Sequence, residues 1–389
     1  MKNFFIILHF LVFACIVAKA KVYKVNNVAE FKEAAALVVA GDEIIIANGS
    51  YSNWEVTTKI DGKAGKPVVI RAETPGKVVF SGDVNKPVFH LRGSFTEISG
   101  LSFEGCHVFK GNGGVLIELR DTKHSRITNC IFTRNVAKSQ YTPIVVVSGM
   151  GMYNRVDHCS FTGNVDNQEL QVLIKAKAVP LYTTIENNVF IDKSAVMWKG
   201  QNGGECVQIG QDPILMGTLS SYTMVCNNRF IRCNGEGEVI SNKSSGNSYI
   251  NNYFEDCRGE LVMRGGHDCL VDSNTFKGGS GGIRINGTHH TVTNNVLSGL
   301  SIAIRLMYGM AKGKTEIGFY VAASDCRIKN NYISNCNTGI LIGDNKGLDW
   351  TGKFDAKKYP SRTMQDVAPF NNTLADNVIA ETKKLIVYN

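Results

Sequence analysis

The sequence predicts an all-β, single-domain right-handed parallel β-helix, a solenoid of short strands with a short helix capping its N-terminal end. Three observations predict it. A six-residue pattern recurs along the chain, asparagines pair at its centre, and 39 Gly stand against only 8 Pro. The pattern is an apolar, usually β-branched residue, two variable ones, Asn or a small residue, one variable, then Phe or an aliphatic. It reads Ile98 to Phe103, Ile127 to Phe132, Val156 to Phe161, Ile185 to Phe190, Val225 to Phe230 and Tyr249-Ile250 to Phe254. It continues Val271 to Phe276, Val292 to Leu297, Ile328 to Ile333 and Leu374 to Ile379. Fixed periods of this size are the mark of stacked supersecondary units, each burying its own slice of core.

The elements follow in order. Lys2, the apolar stretch Phe4 to Val17 and Ala18-Lys19-Ala20 read as a secretory signal, so residues 1–20 are set apart and 21–389 form the β-helix domain. Val28 to Val39 is an amphipathic helix with Phe31, Ala34, Ala35 and Val38 on one face. It is placed to cover the first coil, whose core and strand edges would otherwise be open. Gly41-Asp42 then turns into the strand Glu43 to Ile46. The first rungs are 29 residues apart and later ones 24, 22 and 21. Asn187-Asn188, Asn227-Asn228, Asn251-Asn252, Asn294-Asn295 and Asn330-Asn331 fit the bends between strands, where Asn tolerates left-handed backbone and can ladder from coil to coil. Gly347 to Pro369 is the longest irregular stretch, a loop or a cover over the last coils. The ten cysteines beyond Cys15 sit at rung-like positions, and buried thiols and disulfides both remain open.

Composition narrows the partners. A formal charge of +8 suits an acidic polymer, but no basic cluster is interleaved with aromatics, which argues against nucleic acid. No run is long enough to span a membrane. A solenoid with a capped end has no need to associate, so a secreted or periplasmic monomer is expected.

The stretch from Lys199 to Arg284 is least explained by folding. Glu236 and Glu238 stand at i and i+2, on one face of a strand, where two like charges cost energy unless a cation lies between them. Ca²⁺ takes several hard oxygen ligands; a solvated acidic pair is the plain alternative. Lys243 follows five residues on, and Arg264 comes one 21-residue rung later, so all four side chains can share one patch. Taken singly, the Lys and Arg are more often plain surface cations.

Three blocks carry a family resemblance: NGGE from Asn202 to Glu205, GEGEVISNKSSGN from Gly235 to Asn247, and MRGGHDCLVDSNTF from Met263 to Phe276. They resemble the signature blocks of polysaccharide lyase family 6, which includes alginate lyases and chondroitinase B. The resemblance implies a calcium-assisted β-elimination on a parallel β-helix. It implies Glu236, Glu238 and Asn202 as Ca²⁺ ligands, Lys243 as the base, and Arg264 as acid or leaving-group stabiliser. Where many members carry His directly after that Arg, this chain has Gly265, with His267 nearby. Arg284 and Arg305, on later coils, together with His267 and Tyr308, are candidate substrate-binding residues; rim salt bridges are the other reading of the two arginines. The expected substrate is an anionic 4-linked uronate polymer, alginate or dermatan sulfate, with alginate favoured. Two other classes stay open. A non-catalytic glycan-binding β-helix need not keep the four residues together, and a pectate lyase or a polygalacturonase-like hydrolase would present a different catalytic set.

Overall fold

The computed structural model describes residues 20–212, 217–316, 318–353, 357 and 362–389. The expected signal segment up to Lys19 lies outside them. Among the described residues the chain winds as a right-handed parallel β-helix with three long sheets of 13, 12 and 13 strands. Consecutive strands fall in different sheets and each strand pairs in parallel with its equivalent one coil away.

The six-residue pattern is the corner between two of those sheets. Its first residue pairs rung to rung in one sheet, Ile98 with Ile127, Val156 and onward. Its last residue pairs in the next, Phe103 with Phe132 and Phe161. The phenylalanines stack inside the coil from Phe80 to Phe276, with successive ring centroids 4.3 to 5.2 Å apart. That spacing is the strand repeat itself, so one side chain per rung fills the core with no gap. Where the sequence left Tyr249 or Ile250 open, Tyr249 takes the inward place opposite Val225, and its hydroxyl donates to Asn242 Oδ1 at 2.8 Å.

The paired asparagines divide the work of the bend. The first of each pair is left-handed, with φ of 54° at Asn187, 57° at Asn227 and 53° at Asn251. The second points inward and hands its amide up the stack: Asn188 to Asn228, then Asn252, Asn274 and Asn295, each Nδ2 donating to the next Oδ1 at 3.0 Å. Buried bends therefore leave few polar groups unpaired.

The N-terminal helix runs Val28–Leu37, two residues shorter than the pattern suggested. Asn27 Oδ1 accepts from Glu30 N and caps its start. It stops because Asp42 captures Val39 N at 3.0 Å and draws the chain into the turn. Phe31, Ala34 and Ala35 are buried, while Val38 is half-buried against the same core. Phe31 meets Trp54 and Phe89 edge-on at 5.9 and 5.8 Å and closes that end of the coil. All ten described cysteines are buried free thiols, which decides against disulfides.

Candidate active site

The chemistry collects on the 12-stranded sheet, on consecutive rungs formed by strands Gln168–Val172, Val207–Ile209, Glu238–Asn242, Glu260–Met263, Gly281–Ile285 and Ile302–Met307. Register fixes its centre. Asn242 pairs with Met263, so Lys243 and Arg264, each the next residue, leave neighbouring rungs side by side. The backbone then has to turn at once. Gly266 takes φ of 107°, and a Cβ there would meet Ser244 O at 2.2 Å. No other residue type fits that close approach.

Glu236 and Glu238 are both buried, and Glu205 joins them from the preceding rung. Each offers one carboxylate oxygen to a cluster whose atoms all lie within 4.8 Å of one another. Gln168 and Gln208 donate to Glu205 at 2.9 and 2.6 Å, and Lys243 Nζ stands 3.7 Å from it. Gly203 N donates to Glu236 Oε2 at 3.2 Å. Glu238 Oε1 faces Arg284, with Arg264 at 4.0 Å, while its buried Oε2 has no hydrogen-bond partner. An orphaned carboxylate oxygen within a buried trio of carboxylates fits a hard divalent cation.

The electrostatics follow from burial and crowding. Burial, then the Glu205 and Glu238 carboxylates, push Glu236 up to about 10. Burial opposes ionisation of Glu238 too, but Arg264, Arg284 and Lys243 outweigh it and hold that carboxyl at about 2. Burial first, and the Arg264 cation as well, push Lys243 below the usual lysine range, against the pull of Glu205, Glu238 and Glu236. Arg264 is held firmly protonated and lies over the rings of Phe319 and Tyr320, at 5.0 and 5.4 Å from their centroids.

Lys243 and Arg264 form one end of a groove of about 490 Å³ that runs along the sheet toward earlier rungs, past Gln208, Gln171 and Gln168 to Glu118. Asn202 is exposed; its backbone carbonyl accepts from Gln140 Nε2 at 3.1 Å. Arg284 and Arg305 lie on the next two rungs in an ion-pair network. Arg284 bonds Glu238 and approaches Glu260 at 4.0 Å; Arg305 reaches Glu260 at 2.9 Å and Asp344 at 3.0 Å. The structure does not bring His267 or Tyr308 to the groove lining. His267 is buried in the bend, its Nδ1 3.2 Å from Thr288 Oγ1. Tyr308 is buried among later coils, its carbonyl accepting from Gln365.

Sequence reasoning missed Glu205, the glutamine lining, and Phe319 with Tyr320. Glu205 was in view within the Asn202 block, but nothing in the spacing placed it beside Glu236. The two aromatics come from an excursion between rungs and carry no period.

The family model for Chondroitinase B matches residues 25–388. A search of curated proteins finds no match. Among solved structures, a mannuronic acid specific polysaccharide family 6 lyase from human gut microbiota is 25% identical, with a TM-score of 0.75 over 92% of this chain and 82% of that one. A mutant of the PL6 family alginate lyase AlyGC is 28% identical, with a TM-score of 0.73 over 91% of this chain and 47% of that one. A PL6 family polysaccharide lyase from Pseudopedobacter saltans, 22% identical, shares the fold at a TM-score of 0.74, over 94% of this chain and 91% of that one.

Proposed function

The chain belongs to the Chondroitinase B family and is a polysaccharide lyase, and from that premise we propose that it is an exported enzyme that cleaves a 4-linked uronate polymer, alginate, by β-elimination. The observation that carries the reading is the buried Lys243 at the end of a groove, with Arg264 on the adjacent rung and Glu205, one of three converging carboxylates, 3.7 Å from its Nζ.

Glu205, Glu236 and Glu238 would hold a calcium ion, which would supply the positive charge that neutralises the sugar carboxylate and acidifies the C5 proton. Lys243 is the base, and burial favours the neutral amine it needs. Its Nζ takes the C5 proton. The C5–H electron pair becomes the C4–C5 double bond, the C4–O4 bond breaks, and its electrons leave on O4. Arg264 keeps its own proton and stabilises the charge on O4, which is protonated from water; the lysine proton returns to solvent. The clamp of Phe319 and Tyr320 fixes the guanidinium in place.

Alginate is favoured over dermatan sulfate by two observations. Arg284 and Arg305 are committed to Glu238, Glu260 and Asp344, and among the described residues the groove beyond Lys243 offers four glutamines and one lysine but no arginine to pair with a sulfate. The similar structures described as alginate lyases point the same way. The test is ultraviolet absorbance of the conjugated product. Purified protein is incubated in turn with alginate, dermatan sulfate and polygalacturonate, with calcium and with a chelator. Absorbance growing on alginate and suppressed by chelation is the expected result. Growth on dermatan sulfate alone would replace the substrate, and silence on all three would overturn the reading.

A further inference from the structure

The groove is strongly one-sided. From Lys243 it extends four rungs toward the N-terminal coils, to Glu118, about 19 Å at about 4.8 Å per rung. In the other direction it stops at Arg264. Of the described residues that follow Arg264 in sequence, only Phe319 lines it.

A built aromatic wall accounts for the stop. Between strands Ile302–Met307 and Arg327–Lys329 the chain leaves the coil and doubles back, Met310 N bonding Tyr320 O at 2.7 Å and Ala322 N bonding Ala311 O at 3.0 Å. Asn286 and Gly287, on the rung after Arg264, hold Val321 O at 3.2 and 2.9 Å. This pins Phe319 and Tyr320 directly over Arg264. Trp350, from a second excursion, backs both rings, with centroids 6.1 and 5.4 Å away. Its Nε1 donates to the buried Gln365, which in turn donates to Tyr308 O. Behind the wall the sheet surface is filled by Arg284, Arg305 and their carboxylates. The groove lining therefore runs along the arm on one side of Arg264 and ends at Phe319 on the other.

We infer that Phe319, Tyr320 and Trp350 form a wall that makes the enzyme cut from a chain end, releasing one short unsaturated product per event while the rest of the polymer occupies the arm lined by Gln208, Gln171 and Gln168. This rests on the lyase reading above and adds its mode of cutting.

The experiment follows alginate digestion by absorbance, by viscosity and by mass spectrometry of products from the first minutes. Expected is one short product size throughout, with viscosity falling late relative to absorbance. Phe319→Ala and Trp350→Ala, checked for folding by circular dichroism, are expected to broaden the products into a ladder. An early ladder with rapid loss of viscosity from the unsubstituted enzyme would overturn the wall while leaving the lyase reading intact. So would an unchanged single product from both folded variants. Absence of any absorbance change from the unsubstituted enzyme would instead remove the lyase reading itself, and the wall with it.

Discussion

Two residues show how burial makes chemistry. A lysine in solvent is a poor base because it is already protonated; Lys243, buried beside Arg264, is pushed toward the neutral form. Its sign is simple: activity requires the neutral amine, so the rate rises with pH through the lowered Lys243 value and levels off below 10.5, the ordinary lysine value. Lys243→Ala should lower kcat about 10³-fold in protein whose circular dichroism shows the fold retained. A loss of less than about tenfold would place the base elsewhere, whereas a carboxylate hydrolase would be spared. Glu236 makes the complementary case. Without a cation, burial and the Glu205 and Glu238 carboxylates keep Glu236 protonated, so the neutral Glu236→Gln should leave the calcium-free protein at least as stable as the unsubstituted one. It should also abolish the rise in melting temperature that calcium gives the unsubstituted protein. Thermal shifts with and without calcium read both effects, and an undiminished calcium shift in the variant would remove Glu236 from the ligand set.

At the scale of the element, the bends decide more than the strands. Each rung closes because an inward polar side chain satisfies the backbone of the coil before it, and His290 occupies one such place. Its Nδ1 accepts from Cys269 N at 3.1 Å, so the single ring proton sits on Nε2, facing Asn286 O at 3.1 Å. A second proton would eject the Cys269 amide from its acceptor. Burial, with His267 and His289 nearby, holds His290 down at about 4. Between about 4 and the ordinary 6.5 the unfolded chain binds a proton that the folded one refuses. The stability this residue contributes is therefore complete above 6.5 and lost as pH falls toward 4. His290→Asn, which restores the amide used on other rungs, should flatten the fall in melting temperature over that window; an unchanged slope would exonerate His290. The same contrast explains what could be read in advance. The rungs were legible because a strand pair repeats its inward residue at every coil, and the 21-residue step from Lys243 to Arg264 marks two rungs in register in the sequence itself. Glu205 was not, because the coil that sets its rung against the Glu238 rung is 33 residues long, from Gln208 to its partner Ser241, and matches none of the regular spacings. Phe319 and Tyr320 belong to a loop that obeys no repeat at all.

Across the whole molecule, a solenoid is held rung to rung, so its stability is local and its two ends need not be alike. At the N-terminal end Phe31 is fully buried against Trp54 and Phe89, and the helix covers the first coil. At the other end the last strand, Lys384–Tyr388, leaves Leu385, Ile386 and Tyr388 exposed, and Leu374 and Ile379 only half-buried. The site lies between, on rungs whose strands Glu238–Asn242 and Glu260–Met263 are buried at every position. Placing a crowded, charge-rich centre there makes physical sense: neighbouring rungs on both sides supply the packing that three carboxylates and two arginines take away. Opening should therefore begin at the C-terminal coil and reach the site last. Hydrogen exchange tests this order, with amides of Thr373–Ala375, Val378–Ala380 and Lys384–Tyr388 exchanging first and those of Glu238–Asn242 among the slowest. Calcium should slow exchange around Glu238 and leave the last coil unchanged, because a cation bound in the middle stabilises only the rungs that must open to release it. Uniform slowing along the whole chain would mean that the solenoid opens as one cooperative unit, and the independence of its end coil would have to be given up.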